Sequence, residues 1–91
     1  MLLPAPRGRT FQQVFRGVNA ALRLAAARHP DTVRLVDLGA TFTPHDRFRQ
    51  TIRWHGRRVS VRQGDGVHLN AAGASIAATL IIRAMRRDGV L

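Results

Sequence analysis

Apolar residues recur at two different periods along the chain, and the changes of period predict its elements. Phe11, Val14, Phe15, Val18, Leu22 and Ala25 follow the spacing of one helix face, while Gln12, Arg16, Asn19 and Arg23 fall opposite them. The spacing predicts a helix over 10–28. Thr10 is placed to start it, with Gln13 three residues on as a capping-box partner. Pro30 ends it near Arg28, because the residue before a proline is driven out of the helical region. Gly17 weakens its middle by up to about 1 kcal/mol relative to Ala. Phe11 and Phe15 are expected in the core. Before this helix, residues 1–9 carry two prolines and no period, and read as an extended entry.

After a turn at Asp31 and Thr32, residues 33–38 are short, β-branched and bounded by turn signals, so they read as a strand. A helix followed by a strand suggests the end of a βαβ unit, with Leu2 and Leu3 as the tail of an earlier strand. The loop at 39–44 would then lie at the strand's carboxyl end, where open α/β sheets bind their ligands. Residues 49–62 alternate with period two around His55 and Gly56, a pair suited to a primed hairpin turn. That register sets Ile52 opposite Val59 and Arg53 opposite Arg58. Ile52, Trp54, Val59 and Val61 share one face; Arg49, Thr51, Arg53, Arg58, Ser60 and Arg62 share the other. Like charges directly opposite are destabilising, so this second face is either fully solvated or holds an anion. From 70 to 87 the helical period returns. Ala72, Ile76, Leu80 and Ala84 make one row, and Ala77, Ile81 and Met85 its neighbour. Gly89 ends that helix, and Gly73 near its start predicts close packing against the turn or the sheet.

Between the hairpin and the last helix lies a turn at 65–68, Asp65-Gly66-Val67-His68, followed by Asn70 as a helix cap. If these four residues form one turn, the Asp65 carboxylate reaches a ring nitrogen of His68. Such a contact would set the imidazole tautomer and stabilise an imidazolium, as in the base–orienter half of a nucleophile relay. The plainer reading is a polar turn that caps a helix and carries a surface histidine. The run Gln63-Gly64-Asp65-Gly66-Val67-His68-Leu69-Asn70-Ala71-Ala72-Gly73 resembles the last sequence block of the SGNH (GDSL-type) hydrolases. The helix, strand and Arg-rich hairpin upstream resemble the final third of such a domain. The resemblance implies an α/β fold, the C-terminal portion of a flavodoxin-like SGNH sandwich. It implies that Asp65 and His68 are the Asp and His of a Ser-His-Asp triad acting on an ester or an acylated small molecule or glycan. The family's Gly-Asp-Ser nucleophile block and the Gly and Asn of its oxyanion hole are absent, which implies that the chain is inactive by itself.

Composition narrows the alternatives. Ninety-one residues make at most one small domain, which buries only about 60–65% of its unfolded surface. With no cysteine, disulfides and thiolate metal sites are excluded. No apolar run is long enough to span a membrane, and the N-terminus has no signal-peptide pattern, so the expected location of the chain as written is cytoplasmic. Net charge is +10, carried by 15 arginines with no lysine, and every acid is aspartate. An anionic partner is one reading, through Arg49, Arg53, Arg58 and Arg62; the coding bias of a GC-rich genome is the other.

The chemistry available is correspondingly limited. His29, His45, His55 and His68 show no metal-ligand spacing, and no phosphate-binding or dinucleotide glycine pattern is present, so no cofactor is expected. Ser60 lies within the hairpin and Ser75 within the last helix. Neither occupies the strand-to-helix elbow that exposes a nucleophile. Two functions therefore compete. One is the C-terminal segment of an SGNH-type esterase, completed by a serine supplied elsewhere. The other is a small Arg-rich nucleic-acid-binding protein built on the basic hairpin. In the first case the 33–38 strand lacks parallel neighbours and the 10–28 helix lacks most of its sheet. Exposed apolar surface and self-association are then expected.

Overall fold

In the computed structural model, which describes residues 1–90, the first helical period folds as α1, Arg9–Arg28. It begins one residue earlier than predicted. Its N-cap is Gly8 at φ 101, and no side chain caps it, so the Thr10–Gln13 box does not form. Thr10 is already inside the first turn, where its hydroxyl cannot serve as the cap. The helix stops at Arg28 as Pro30 requires, and the His29 N–H donates to the Ala25 carbonyl at 2.9 Å.

The strand expected over 33–38 is reduced to a single parallel bridge between Leu2 and Asp37. The Leu2 N–H donates to the Val36 carbonyl at 2.7 Å, and the Leu38 N–H to the Leu2 carbonyl at 3.3 Å. Two local features prevent a ladder. On one side Pro4 and Pro6 have no N–H to extend the pairing. On the other, the Asp37 carboxylate accepts from the Ala40 N–H at 3.1 Å and so starts a helix, α2, Leu38–Phe42. A single tight turn, Pro44–Asp46, follows, with His45 and Asp46 both left-handed at φ 60 and φ 58.

The hairpin forms in the predicted register. Strand β1, Thr51–Trp54, pairs antiparallel with β2, Arg57–Ser60, with Ile52 opposite Val59 and Arg53 opposite Arg58. His55 at φ 51 and Gly56 at φ 78 give the two left-handed residues of a type I′ turn. Ladder pairing is shorter than 49–62, although the Val61 N–H still donates to the Gln50 carbonyl at 2.9 Å. The last helix, α3, spans Ala71–Arg87 with Asn70 as its N-cap. Its end is a full Schellman closure. The Val90 N–H donates to the Met85 carbonyl and the Gly89 N–H to the Arg86 carbonyl, with Gly89 at φ 77.

The protein is thus a mixed α/β structure, three helices and a two-stranded antiparallel sheet among the described residues. The core gathers Leu38 and Phe42 of α2, Ile52 of β1, Val61, and Ile76 and Ala77 of α3, with Trp54, Val59 and Leu80 packed against them. Gly73 lets α3 approach the hairpin. A Cβ there would overlap the Val61 carbonyl oxygen.

Helix α1 contributes no buried residue. Phe11 is 54% exposed, contrary to the expectation that it lies in the core; Val14 and Val18 are exposed with it, and Phe15 is half-buried. The reason is what the helix docks against. Asn19 exchanges two hydrogen bonds with the backbone of Leu3, at 2.7 and 2.9 Å, and the Gln12 amide donates to the Pro6 carbonyl at 3.0 Å. The amide-bearing side therefore faces the chain, and much of the apolar stripe faces solvent.

Candidate active site

The turn carrying Asp65 and His68 is a closed loop. The antiparallel bridge between Arg62 and Leu69 clamps its base. Inside it the Gln63 N–H donates to the His68 carbonyl at 2.8 Å and the Gly66 N–H to the Gln63 carbonyl at 3.1 Å. Gly66 is left-handed at φ 70, and a Cβ there would sit 2.7 Å from Arg7 side-chain atoms, so both its conformation and its surroundings call for glycine. Behind the loop, Asn70 ties helix to hairpin: its Oδ1 accepts from the Gly73 N–H, and its Nδ2 donates to the Ser60 carbonyl, both at 2.9 Å.

Within this loop the Asp65 carboxylate is held at both oxygens. Oδ1 accepts from the Val67 N–H at 2.8 Å and the His68 N–H at 3.1 Å. Oδ2 lies 2.6 Å from His68 Nδ1. The hydrogen bond from His68 and the two backbone donors lower the Asp65 pKa to about 2. The carboxylate is therefore ionised at neutral pH and can only accept, so the proton on the contact belongs to Nδ1. In the neutral imidazole that leaves the lone pair on Nε2. The His68 side chain is 71% exposed, and no hydrogen bond engages Nε2 among the described residues. This is the tautomer and the accessibility that a general base needs.

Two arginines hold this loop, a role that the alternation of polar and apolar residues does not encode. Arg7 docks through its backbone N–H on the Gly66 carbonyl at 2.8 Å and through its guanidinium on the Gly64 carbonyl at 2.8 Å. Arg62 donates to the Val67 carbonyl at 3.3 Å and the Ala5 carbonyl at 2.7 Å. The Phe48 ring lies under both guanidiniums, at 5.8 Å from Arg7 and 5.1 Å from Arg62. Period-two alternation had set Arg62 on the solvent face beside Arg49, Arg53 and Arg58. It is instead only 2% exposed, because the ladder ends at Ser60 and the chain then turns inward, burying both Val61 and Arg62. Burial lowers the Arg62 pKa, and the Asp65 charge partly opposes that shift. The bridge that buries Arg62 pairs it with a residue seven positions on, a contact that strand alternation does not encode.

No serine joins the pair. The Ser60 hydroxyl accepts from Gln50 at 3.2 Å on the exposed hairpin face, and Ser75 lies in α3, where its carbonyl accepts from Thr79. A cleft of about 410 Å³ opens beside the parallel bridge, lined by Leu3, Asn19, Asp37, Gly39, Thr43 and Asp46 among others. Neither Asp65 nor His68 lines it. The turn is tied to Arg7, on the segment that leaves the bridge, rather than to the bridge itself. No group of three or more His, Asp or Glu side chains suited to a metal ion occurs among the described residues. No helix among them is long and apolar enough to cross a membrane.

Compared with known proteins, residues 1–84 match the model of a family described as "Protein of unknown function (DUF459)". No curated protein matches the chain.

Proposed function

We propose that this chain, which belongs to the DUF459 family, is the base-bearing segment of an SGNH-type acyl hydrolase. His68 takes the proton of a serine hydroxyl supplied by another segment, and Asp65 holds the imidazole in the tautomer that can do so. The observation that supports this reading is the 2.6 Å contact between Asp65 Oδ2 and His68 Nδ1, with the second carboxylate oxygen pinned by two backbone N–H groups. The match over residues 1–84 adds weight, since the family is associated with SGNH-like hydrolases.

In this reading Nε2 accepts the serine proton as the hydroxyl oxygen attacks the acyl carbon. The imidazolium so formed is stabilised by the adjacent carboxylate. His68 then returns the proton to the leaving alcohol, and the second half repeats the sequence with water as nucleophile. The serine and the oxyanion donors come from outside these 91 residues. General-base action of His68 on water would contribute only roughly 10²–10⁴-fold. Missing oxyanion donors remove a further factor of about 10²–10³. The purified chain is therefore expected to turn over p-nitrophenyl acetate no faster than free imidazole. Joined to a segment that carries a Gly-Asp-Ser block, it should gain an ester hydrolase activity that His68→Ala abolishes. A burst of acyl-enzyme from the chain by itself, or activity of the joined protein that survives His68→Ala, would sink the proposal. The exposed stripe of Phe11, Val14 and Val18 supports the further expectation that the isolated chain self-associates.

A further inference from the structure

A second cleft, of about 750 Å³, lies between the polar face of the hairpin and the turn after α2. Its walls carry Arg49, Arg53 and Arg58, together with Thr41, Thr51 and Pro44. Residues 49, 51 and 53 alternate onto one face of the extended chain, and Arg58 joins them as the cross-strand partner of Arg53. The Arg53–Arg58 pair sits between the Trp54–Arg57 pair that closes the two-residue turn and the Ile52–Val59 pair. It is thus a non-hydrogen-bonded pair, the kind whose side chains approach most closely. Two like charges are brought together in a concave surface that no carboxylate lines among the described residues.

Of the fifteen arginines, four make side-chain hydrogen bonds among the described residues. Arg7, Arg16, Arg34 and Arg62 each donate to a carbonyl or a carboxylate. Arg49, Arg53 and Arg58 make no side-chain hydrogen bond or ion pair among the described residues. Three planar donor forks without acceptors, lining one cleft with two threonines, suit the terminal oxygens of a tetrahedral dianion. The volume lies within the range of small-molecule sites and exceeds what one phosphate fills, and Pro44 offers apolar contact beside the charges.

We propose that this cleft binds a phosphate group carried on a small organic molecule, with Arg53 and Arg58 clamping the dianion from the two strands and Arg49 closing the third side. The ligand neutralises the like-charge pair that the hairpin register creates. This site is separate from the Asp65–His68 loop and stands whether or not that loop belongs to a hydrolase.

The test follows arginine Nε–H and backbone amide signals of the full chain at pH 7.5 while inorganic phosphate, phenyl phosphate or a DNA duplex is added at fixed ionic strength. The expected result is saturable shifts confined to Arg49, Thr51, Arg53 and Arg58, with phenyl phosphate at least threefold tighter than inorganic phosphate. The R53Q/R58Q double variant should weaken phenyl phosphate at least tenfold. R86Q/R87Q removes the same charge from the end of α3 and should change it less than twofold. The single variant Arg49→Gln, should the double fail to fold, is expected to lose at least threefold. Shifts spread over all the arginines, equal weakening in the two double variants, or binding of the duplex without saturable phosphate-ester binding would overturn the proposal. In each of those cases the arginines act as a diffuse positive field.

Discussion

Replacing Arg62 with Met keeps an apolar stem about as far as Nε and removes both of its hydrogen bonds, so it tests what the buried guanidinium contributes. The bond to the Ala5 carbonyl, at 2.7 Å, is short and buried; that to Val67, at 3.3 Å, is long. Hydrogen bonds from a charged donor contribute roughly 1.5–3 kcal/mol, so the pair is worth about 3–4 kcal/mol with the longer one at the low end. Two terms act the other way. Met does not require the desolvation that lowers the Arg62 pKa, and it leaves no donor like Arg62 Nε, which is buried without a partner. Together these bring the expected loss to about 2–3 kcal/mol, against a total of roughly 5–14 kcal/mol for a chain of this length. With a urea slope near 1 kcal/mol/M for a domain this small, the midpoint should fall by roughly 2–3 M. Circular dichroism during urea unfolding measures it. Arg62→Lys keeps one point donor for Ala5 and should lose about half as much. A midpoint within about 0.5 M of wild type for Arg62→Met would show that the guanidinium does not hold the loop, and the account of how Asp65 and His68 are positioned would fail with it.

Asp65→Asn turns the acceptor at Nδ1 into an amide donor, so the His68 proton should move to Nε2; 15N chemical shifts of the ring distinguish the two tautomers, and an unchanged Nδ1–H would refute the derivation. In a joined, active protein the same substitution should lower kcat by about 10⁴-fold. The Asp65 carboxyl titrates at about 2, below its unfolded value, so its contribution to stability is present above roughly pH 4 and is lost as pH falls through 2; a 13C carboxyl titration with a midpoint near 4 would contradict this. Gly73→Ala drives a Cβ into the Val61 carbonyl oxygen and should cost about 1–3 kcal/mol of overpacking, partly offset by about 1 kcal/mol of helix propensity; a thermal midpoint above wild type would show that the contact yields at no cost.

Features whose causes are local were legible in the sequence. The hairpin register follows from His55-Gly56 and the period-two alternation, and both strands pair as those residues require. The Asp65–His68 contact follows from a four-residue turn containing glycine, and Asn70 caps α3 as its side chain allows. The features misjudged depend on partners distant in the chain. Val33 to Leu38 has strand composition, yet only Leu2 is available to pair with it, and Asp37 can instead cap α2. Phe11 belongs to a helix face with the right period for burial, yet Asn19 and Gln12 dock the other side. Arg62 obeys the alternation of an exposed face, yet the chain turns inward one residue after the ladder ends.

The same division between local and distant contacts bears on what limits catalysis. The bonds that set the Asp65–His68 geometry lie within residues 60–73, apart from the clamps that Arg7 and Arg62 make between the loop and the 1–9 segment. None involves α1, whose apolar stripe is uncovered. The pair is therefore assembled without any contribution from that helix, and its tautomer does not depend on a nucleophile being present. In the proposed reading, a second segment need not reorganise the base; it would have only to bring a serine hydroxyl to Nε2 and donors to the oxyanion. Catalysis in a completed protein should then depend on how accurately that segment docks, since a displacement of about 1 Å at the reacting atoms can cost 10²-fold. The buried Arg62 and the close approach at Gly73 make the receiving side rigid, which is the property such docking requires.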